Sequence, residues 1–153
     1  MADQQIINAD IITIDVDRLM GKAYNLSLLE AKNLTPEPEL DFSTFHLNLD
    51  EREFLDDRLR VVCTEIVQRL MIRMQTTPGF ELKTTDDKPL VQFYLDKGVL
   101  STHKITMITN AIEEAAISYI LSIWFGKFQP LAQKYMGLYI NALNQVRINA
   151  LKV

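Results

Sequence analysis

One cysteine, two histidines, five glycines and five prolines are spread through 153 residues. The lone Cys63 excludes an internal disulfide, and with it every disulfide-built scaffold; it fits a reducing compartment. Neither His46 nor His103 has a cysteine, histidine or carboxylate at metal-ligand spacing, and the Glu-x-x-His pattern of di-iron bundles is missing. There is no Gly-rich phosphate loop and no Gly-x-Ser-x-Gly elbow. The most apolar run, Ala115 to Phe125, is about half of the roughly 20 residues that a bilayer requires, so it reads as a buried core helix. Met1-Ala2-Asp3-Gln4-Gln5 lacks the basic region of a signal peptide. No basic cluster is dense enough to track phosphates, which argues against sequence-specific nucleic-acid binding. The expectation is a protein that is not an enzyme, with no metal, cofactor, small-molecule substrate or membrane.

What is present is globular in character. Apolar residues make up 48% and charged residues 24%, and the length suits one hydrophobic core, so residues 1–153 are expected to form a single domain. The net charge of −4 is uneven. Residues 1–76 carry 8 basic against 14 acidic side chains, and residues 77–153 carry 8 against 6. The asymmetry reads either as two solvated faces with no partner or as halves that can attract each other within one molecule or between neighbours in a ring.

Along the chain, residues 1–14 contain the β-branched cluster Ile6, Ile7, Ile11, Ile12 and Ile14, a poor helix that reads as an extended arm or a strand. Residues 15–47 are expected to be a short helix and a linker. Asp15 caps a helix over about 16–33, with Val16, Leu19, Met20, Ala23 and Ser27 at helical spacing, and Pro36 and Pro38 prevent its continuation. Residues 48–153 hold the rest of the bundle. Asn48 and Glu51 resemble a capping box, opening a helix whose stripe runs Leu55, Leu59, Val62, Ile66, Leu70 and Met74 and stops before Pro78-Gly79. Residues 80–95 change period and predict a β-hairpin, with Pro89 restricting the second strand's start to an edge or a turn. Asp96-Lys97-Gly98 is a second turn. Ser101 caps a helix over about 102–126 whose end is apolar all round, the signature of a helix enclosed by others. Gly126 suits its C-terminal cap, and Pro130 opens a last helix with the stripe Ala132, Met136, Tyr139, Ile140, Leu143, Val146 and Ala150. The fold class is therefore mainly α: a bundle of about four helices with a small β-hairpin and an extended N-terminal arm.

Few residues invite a functional reading. Asp50, Glu51, Glu53, Asp56 and Asp57 sit where a helix N-terminus favours negative charge, with arginines close by. Cys63 reads as a small core residue, and Glu113 and Glu114 as the exposed edge of an apolar helix. The last helix is different: it presents Gln133, Asn141, Asn144, Gln145 and Asn149, amides that helix propensity does not explain, either as an ordinary polar face or as a packed interface that uses neutral hydrogen bonds. Tyr119, Trp124, Phe125, Phe128, Tyr135 and Tyr139 gather around its junction with the preceding helix, as core packing or as an aromatic-rich interface. The candidate subunit interface comprises Ile6, Ile7, Ile11, Ile12, Ile14, Phe93, Tyr94, Trp124, Phe128, Asn141, Asn144 and Asn149.

Asp50-Glu51-Arg52-Glu53-Phe54-Leu55-Asp56-Asp57-Arg58-Leu59, leading into Val62, Ile66 and Leu70, is similar to the acidic-start first helix of small head–tail connector (neck adaptor, head completion) proteins of tailed bacteriophages. Ile108 to Phe125 resembles their second long helix, which tends to end in an apolar-aromatic pair. The resemblance covers about residues 48–76 and 101–151. It implies a compact helical bundle, built as a ring between portal and tail, that reaches its neighbours through arms or hairpins. The N-terminal arm, the hairpin and the length of the last helix depart from the simplest members.

The leading expectation is a virion structural protein, a connector or tail-completion subunit, assembled in the bacterial host cytoplasm. Its partners would be copies of itself and neighbouring portal and tail components. A second reading is a cytoplasmic helical adaptor that binds one protein partner through the amide face. A third is an enzyme or ligand-binding bundle with a pocket near Trp124.

Overall fold

The computed structural model describes residues 9–33, 52–74, 78–126 and 129–151. In chain order the elements are β1 (Ala9–Asp15), α1 (Val16–Asn33), α2 (Arg52–Leu70), β2 (Gly79–Thr85), β3 (Lys88–Asp96), α3 (Thr102–Trp124) and α4 (Gln129–Leu151). The described chain is mainly helical, with one small antiparallel sheet of strand order β1-β3-β2.

From Ala9 on, the expected arm is a strand, the alternative its β-branched run allowed, and it gives the expected hairpin a third strand. Residues 9–15 lie along β3, in register from Ala9 opposite Asp96 to Asp15 opposite Leu90. The cause is alternation. Ile12 and Ile14 point inward opposite Phe93 and Val91, while Ile11 and Thr13 point to solvent. A strand with one oily face and a row of unpaired amides gains most by closing onto a sheet that already packs on helices. Residues 1–8, with Ile6 and Ile7, lie outside the described residues, as do the linker with His46 and the Asn48–Glu51 cap.

The hairpin turn is tighter than expected. Thr85 pairs with Lys88, leaving Asp86 and Asp87 as a two-residue turn with φ of 53° and 62°. Both lie in the left-handed region that a type I′ turn demands and that aspartate tolerates better than most residues. Pro89 then falls in the central strand, yet it removes no ladder bond. Thr85 and Lys88 flank the turn as a hydrogen-bonded pair, so at Thr84–Pro89 the missing N–H points away from β2. On that side β1 has already ended, at Asp15 opposite Leu90. A second turn comes next, in which Val99 N–H donates to the Asp96 carbonyl and Gly98 takes φ 77°. Gly98 N–H also donates to the Asp10 carboxylate at 3.0 Å, tying the start of β1 to this corner.

The helix starts follow their caps. Asp15 accepts from the Arg18 N–H at 3.2 Å, and Ser101 accepts from the Lys104 N–H at 3.3 Å. In α1, Val16, Leu19, Met20, Ala23 and Ser27 all point into the core. In α2 the stripe holds through Leu70, but the helix ends there. Met74 lies beyond it, its thioether accepting from the Asp96 N–H. Phe125, rather than Gly126, forms the C-cap of α3, and Gly98 is the one glycine with positive φ among the described residues.

One apolar core joins all of these elements. At its centre is α3, which packs against α1, α2, α4 and β1. From Ala115 to Ser122 every residue except Tyr119 is buried, as an all-round apolar helix requires. Against it lies antiparallel α4, with Tyr119 over Tyr139 at 4.9 Å between ring centroids and Phe125 over Tyr135 at 5.9 Å.

Candidate functional site

The buried stripe of α4 is Leu131, Tyr135, Tyr139, Ala142, Leu143, Val146 and Ala150. Met136 and Ile140, expected on that stripe, are exposed instead, Ile140 by 51%. The aromatic seam with α3 sets the rotation of the helix: seating Tyr135 and Tyr139 turns Met136 and Ile140 outward. Met136, Ile140, Asn144 and Ile148 then form one row in steps of four on the outer face, with Gln133, Arg147 and Leu151 beside it. The helix contains Lys134 and Arg147 and no acidic residue.

Beside this row runs a trough of about 410 Å³. Its floor includes Ile117 and Ala142, and its apolar walls are Leu26 and Leu29 of α1 and Leu138 of α4. One end is closed by a polar knot. The Glu30 carboxylate accepts from Lys134 at 2.6 Å and from the Tyr135 hydroxyl at 2.9 Å, while the Lys134 ammonium sits 5.3 Å from the Tyr135 ring centroid. Burial, then Glu30, raises the Tyr135 phenol above its ordinary range. Burial, then the Glu65 carboxylate, pushes Tyr139 up to about 12. At the other end of the trough are Gln145 and Glu114, next to the Lys22–Glu113 ion pair of 3.3 Å. Glu114 is exposed and has no ion pair among the described residues.

The anticipated interface residues scatter across this structure. Ile12, Ile14 and Phe93 are in the chain's own core, no more than 2% exposed, and present no surface for an interface. That correction stems from β1 joining the sheet. Ile11 is exposed on the outer sheet face, opposite Tyr94. There the polar groups satisfy one another: Tyr94 donates to Glu81 at 2.8 Å, and the Gln92 amide donates to Thr13 at 3.3 Å. Trp124 is half-buried against the core and does not line the trough. Phe128, Ile6 and Ile7 lie outside the described residues. The amides divide. Asn141 and Gln145 line the trough, Asn144 belongs to the outer row, and half-buried Asn149 donates back to the Gln145 carbonyl at 2.8 Å. Sequence reasoning missed Met136, Ile140, Ile148 and Leu151 as surface residues, and Leu26, Leu29 and Leu138 as trough walls.

For chemistry the arrangement offers little. Cys63 is buried, and burial pushes its thiol up to about 12 despite nearby Arg60, which keeps it protonated and unreactive. Among the described residues no group of three or more His, Cys, Asp or Glu side chains could hold a metal ion. Among them, too, no helix is long and apolar enough to cross a membrane. What the surface can do is bind apolar and amide groups. No family model matches the chain, and neither any curated protein nor any solved structure matches it.

Proposed function

We propose that the protein is a structural subunit without catalytic activity that works by assembling with copies of itself. The observation that carries this reading is the outer row of α4. Met136, Ile140, Ile148 and Leu151 stand exposed on one rigid helix, interleaved with neutral amides and free of acidic residues. Apolar residues scattered singly over a surface need no explanation, but a contiguous row on one element marks a contact surface. Depletion of charge with retained hydrogen-bonding amides is the composition of an interface core.

The resemblance to neck adaptors supplies the finer version. The subunit would form a ring between portal and tail of a tailed bacteriophage, as a head–tail connector or tail-completion protein, put together in the host cytoplasm and carried in the virion. The structure supports it in one respect: the trough and the outer row are different surfaces, as a ring contact between non-identical faces needs. Sedimentation and electron microscopy of the purified protein test both levels. The expected result is a closed ring of fixed subunit number that binds portal or tail components. A stable monomer with no affinity for them would sink the proposal, and a one-to-one complex with a single host protein would favour an adaptor.

A further inference from the structure

We infer that the trough between α1 and α4 receives the outer row of α4 from a second copy, head to tail and with the two α4 helices parallel. The inference rests on the assembly reading above and names the surfaces that would carry it.

The two surfaces are complementary in charge. The trough is apolar along its floor and walls and ends in exposed Glu114, which has no ion pair among the described residues. The outer row is apolar, acid-free and flanked by exposed Arg147. A carboxylate at the rim of one surface and a guanidinium at the edge of the other are complementary, and a carboxylate–guanidinium pair is the most directional ionic contact available.

The two surfaces also match in spacing. Beyond the Lys134–Tyr135 knot, the trough is lined along α4 from Leu138 to Gln145, seven residues or about 10 Å of helix. Ile140 and Arg147 are also seven residues apart. Seating a neighbour's Ile140 beside Leu138 therefore brings its Arg147 to the Gln145 end. Glu114 is at that same end, because α3 and α4 run antiparallel through the Tyr119–Tyr139 and Phe125–Tyr135 contacts. The neighbour's Asn144 then faces Asn141 across the trough, a match of neutral amides. Reversing the incoming helix would instead carry Arg147 toward Lys134, like charge against like.

A copy that inserts its row leaves its own trough open, so the contact is heterologous and continues from copy to copy. Helices that lie along a rotation axis stay parallel under that rotation, so parallel α4 helices are compatible with closure into a ring.

Three variants at exposed positions test this. Ile140→Asp breaks the row, Leu29→Glu breaks the trough, and Glu114→Arg combined with Arg147→Glu swaps the proposed pair. Far-UV circular dichroism and an unchanged unfolding midpoint confirm each fold. By sedimentation, Ile140→Asp and Leu29→Glu should each weaken association at least about 30-fold, the scale of an interface hot spot. Glu114→Arg or Arg147→Glu alone should weaken it about 10-fold, and the two together in one chain should restore it. Mixing Ile140→Asp with Leu29→Glu should give a one-to-one dimer and nothing larger, because one intact row meets one intact trough. An oligomer indifferent to all of these changes would overturn the inference and leave self-assembly standing. Loss of assembly with no dimer in the mixture would overturn the head-to-tail pairing. A monomeric wild-type protein would overturn the inference and the assembly reading together.

Discussion

The helices α3 and α4 have the same length, 23 residues, and pack against each other along most of it, yet they meet solvent very differently. Along α3 one large apolar side chain, Met107, is exposed. Along α4 five are: Met136, Leu138, Ile140, Ile148 and Leu151. Composition does not explain this, since both helices are rich in aliphatic residues. Neighbours do. The faces of α3 are taken by α1, α2, α4 and β1, whereas among the described residues α4 packs mainly against α3 and α2 and touches α1 at the Glu30 knot. A helix at the centre can be oily all round because the rest of the fold covers it; a helix at the rim with the same habit leaves apolar side chains in solvent.

The contrast can be broken most severely from the enclosed side. Ile120→Ala removes side-chain volume at a fully buried position of α3, and the cavity should cost about 2–5 kcal/mol in urea unfolding. Alkaline pH should act next, on buried groups at and near the same seam. Cys63 and Tyr139 are pushed up to about 12 from ordinary values of 9.0 and 10.0, and Tyr135 is raised as well. Each is an acid held neutral by folding, so its contribution is complete below the unfolded value and is lost as pH climbs toward the folded one. The loss approaches about 1.4 kcal/mol per pH unit per group. Stability should be flat up to about pH 8 and fall by roughly 2 kcal/mol by pH 10. Cys63→Ala should flatten the first part of that decline. A smaller effect is expected at the polar knot. Tyr135→Phe deletes the hydroxyl that donates to Glu30 and should cost about 1 kcal/mol by thermal melting. The smallest belongs to the rim helix: Ile140→Ala should change subunit stability by less than about 0.5 kcal/mol. A large effect there would mean that the outer row already matters to the isolated fold.

Much of the enclosed region was legible in the sequence. Asp15 and Ser101 act as caps because a short polar side chain before an apolar stripe has one natural use. The α1 and α2 stripes were readable because each has a single oily face. That of α4 was readable only in part. Tyr139, Leu143, Val146 and Ala150 are buried as their spacing predicts, but Leu131, Tyr135 and Ala142 complete one stripe with them and Ala132, Met136 and Ile140 another rotated from it. Periodicity cannot choose between two stripes; the aromatic seam does, and it is a tertiary contact. The same limit hid β1. Its alternation was visible, but its partner β3 lies far along the chain, and no local pattern announces such a pairing. The trough combines residues from three helices, so neither its existence nor its acidic end was available before the helices were assembled.

The pairing of β1 with β3 also has a consequence in time. Across the hairpin the paired residues range from Thr85 and Lys88 to Gly79 and Tyr94, all close in sequence. Between β1 and β3 they range from Asp15 and Leu90 to Ala9 and Asp96, with α1 and α2 in the intervening chain. Closing the longer loop costs about 1.5 kcal/mol more in chain entropy, a penalty met before any contact in β1 can offset it. Hairpins close in microseconds, so β2 and β3 should meet early and β1 should dock late. Shaving Ile12 or Ile14 to valine should then speed unfolding while leaving the folding rate nearly unchanged. Of the three strands, the first in the sequence is the last to arrive.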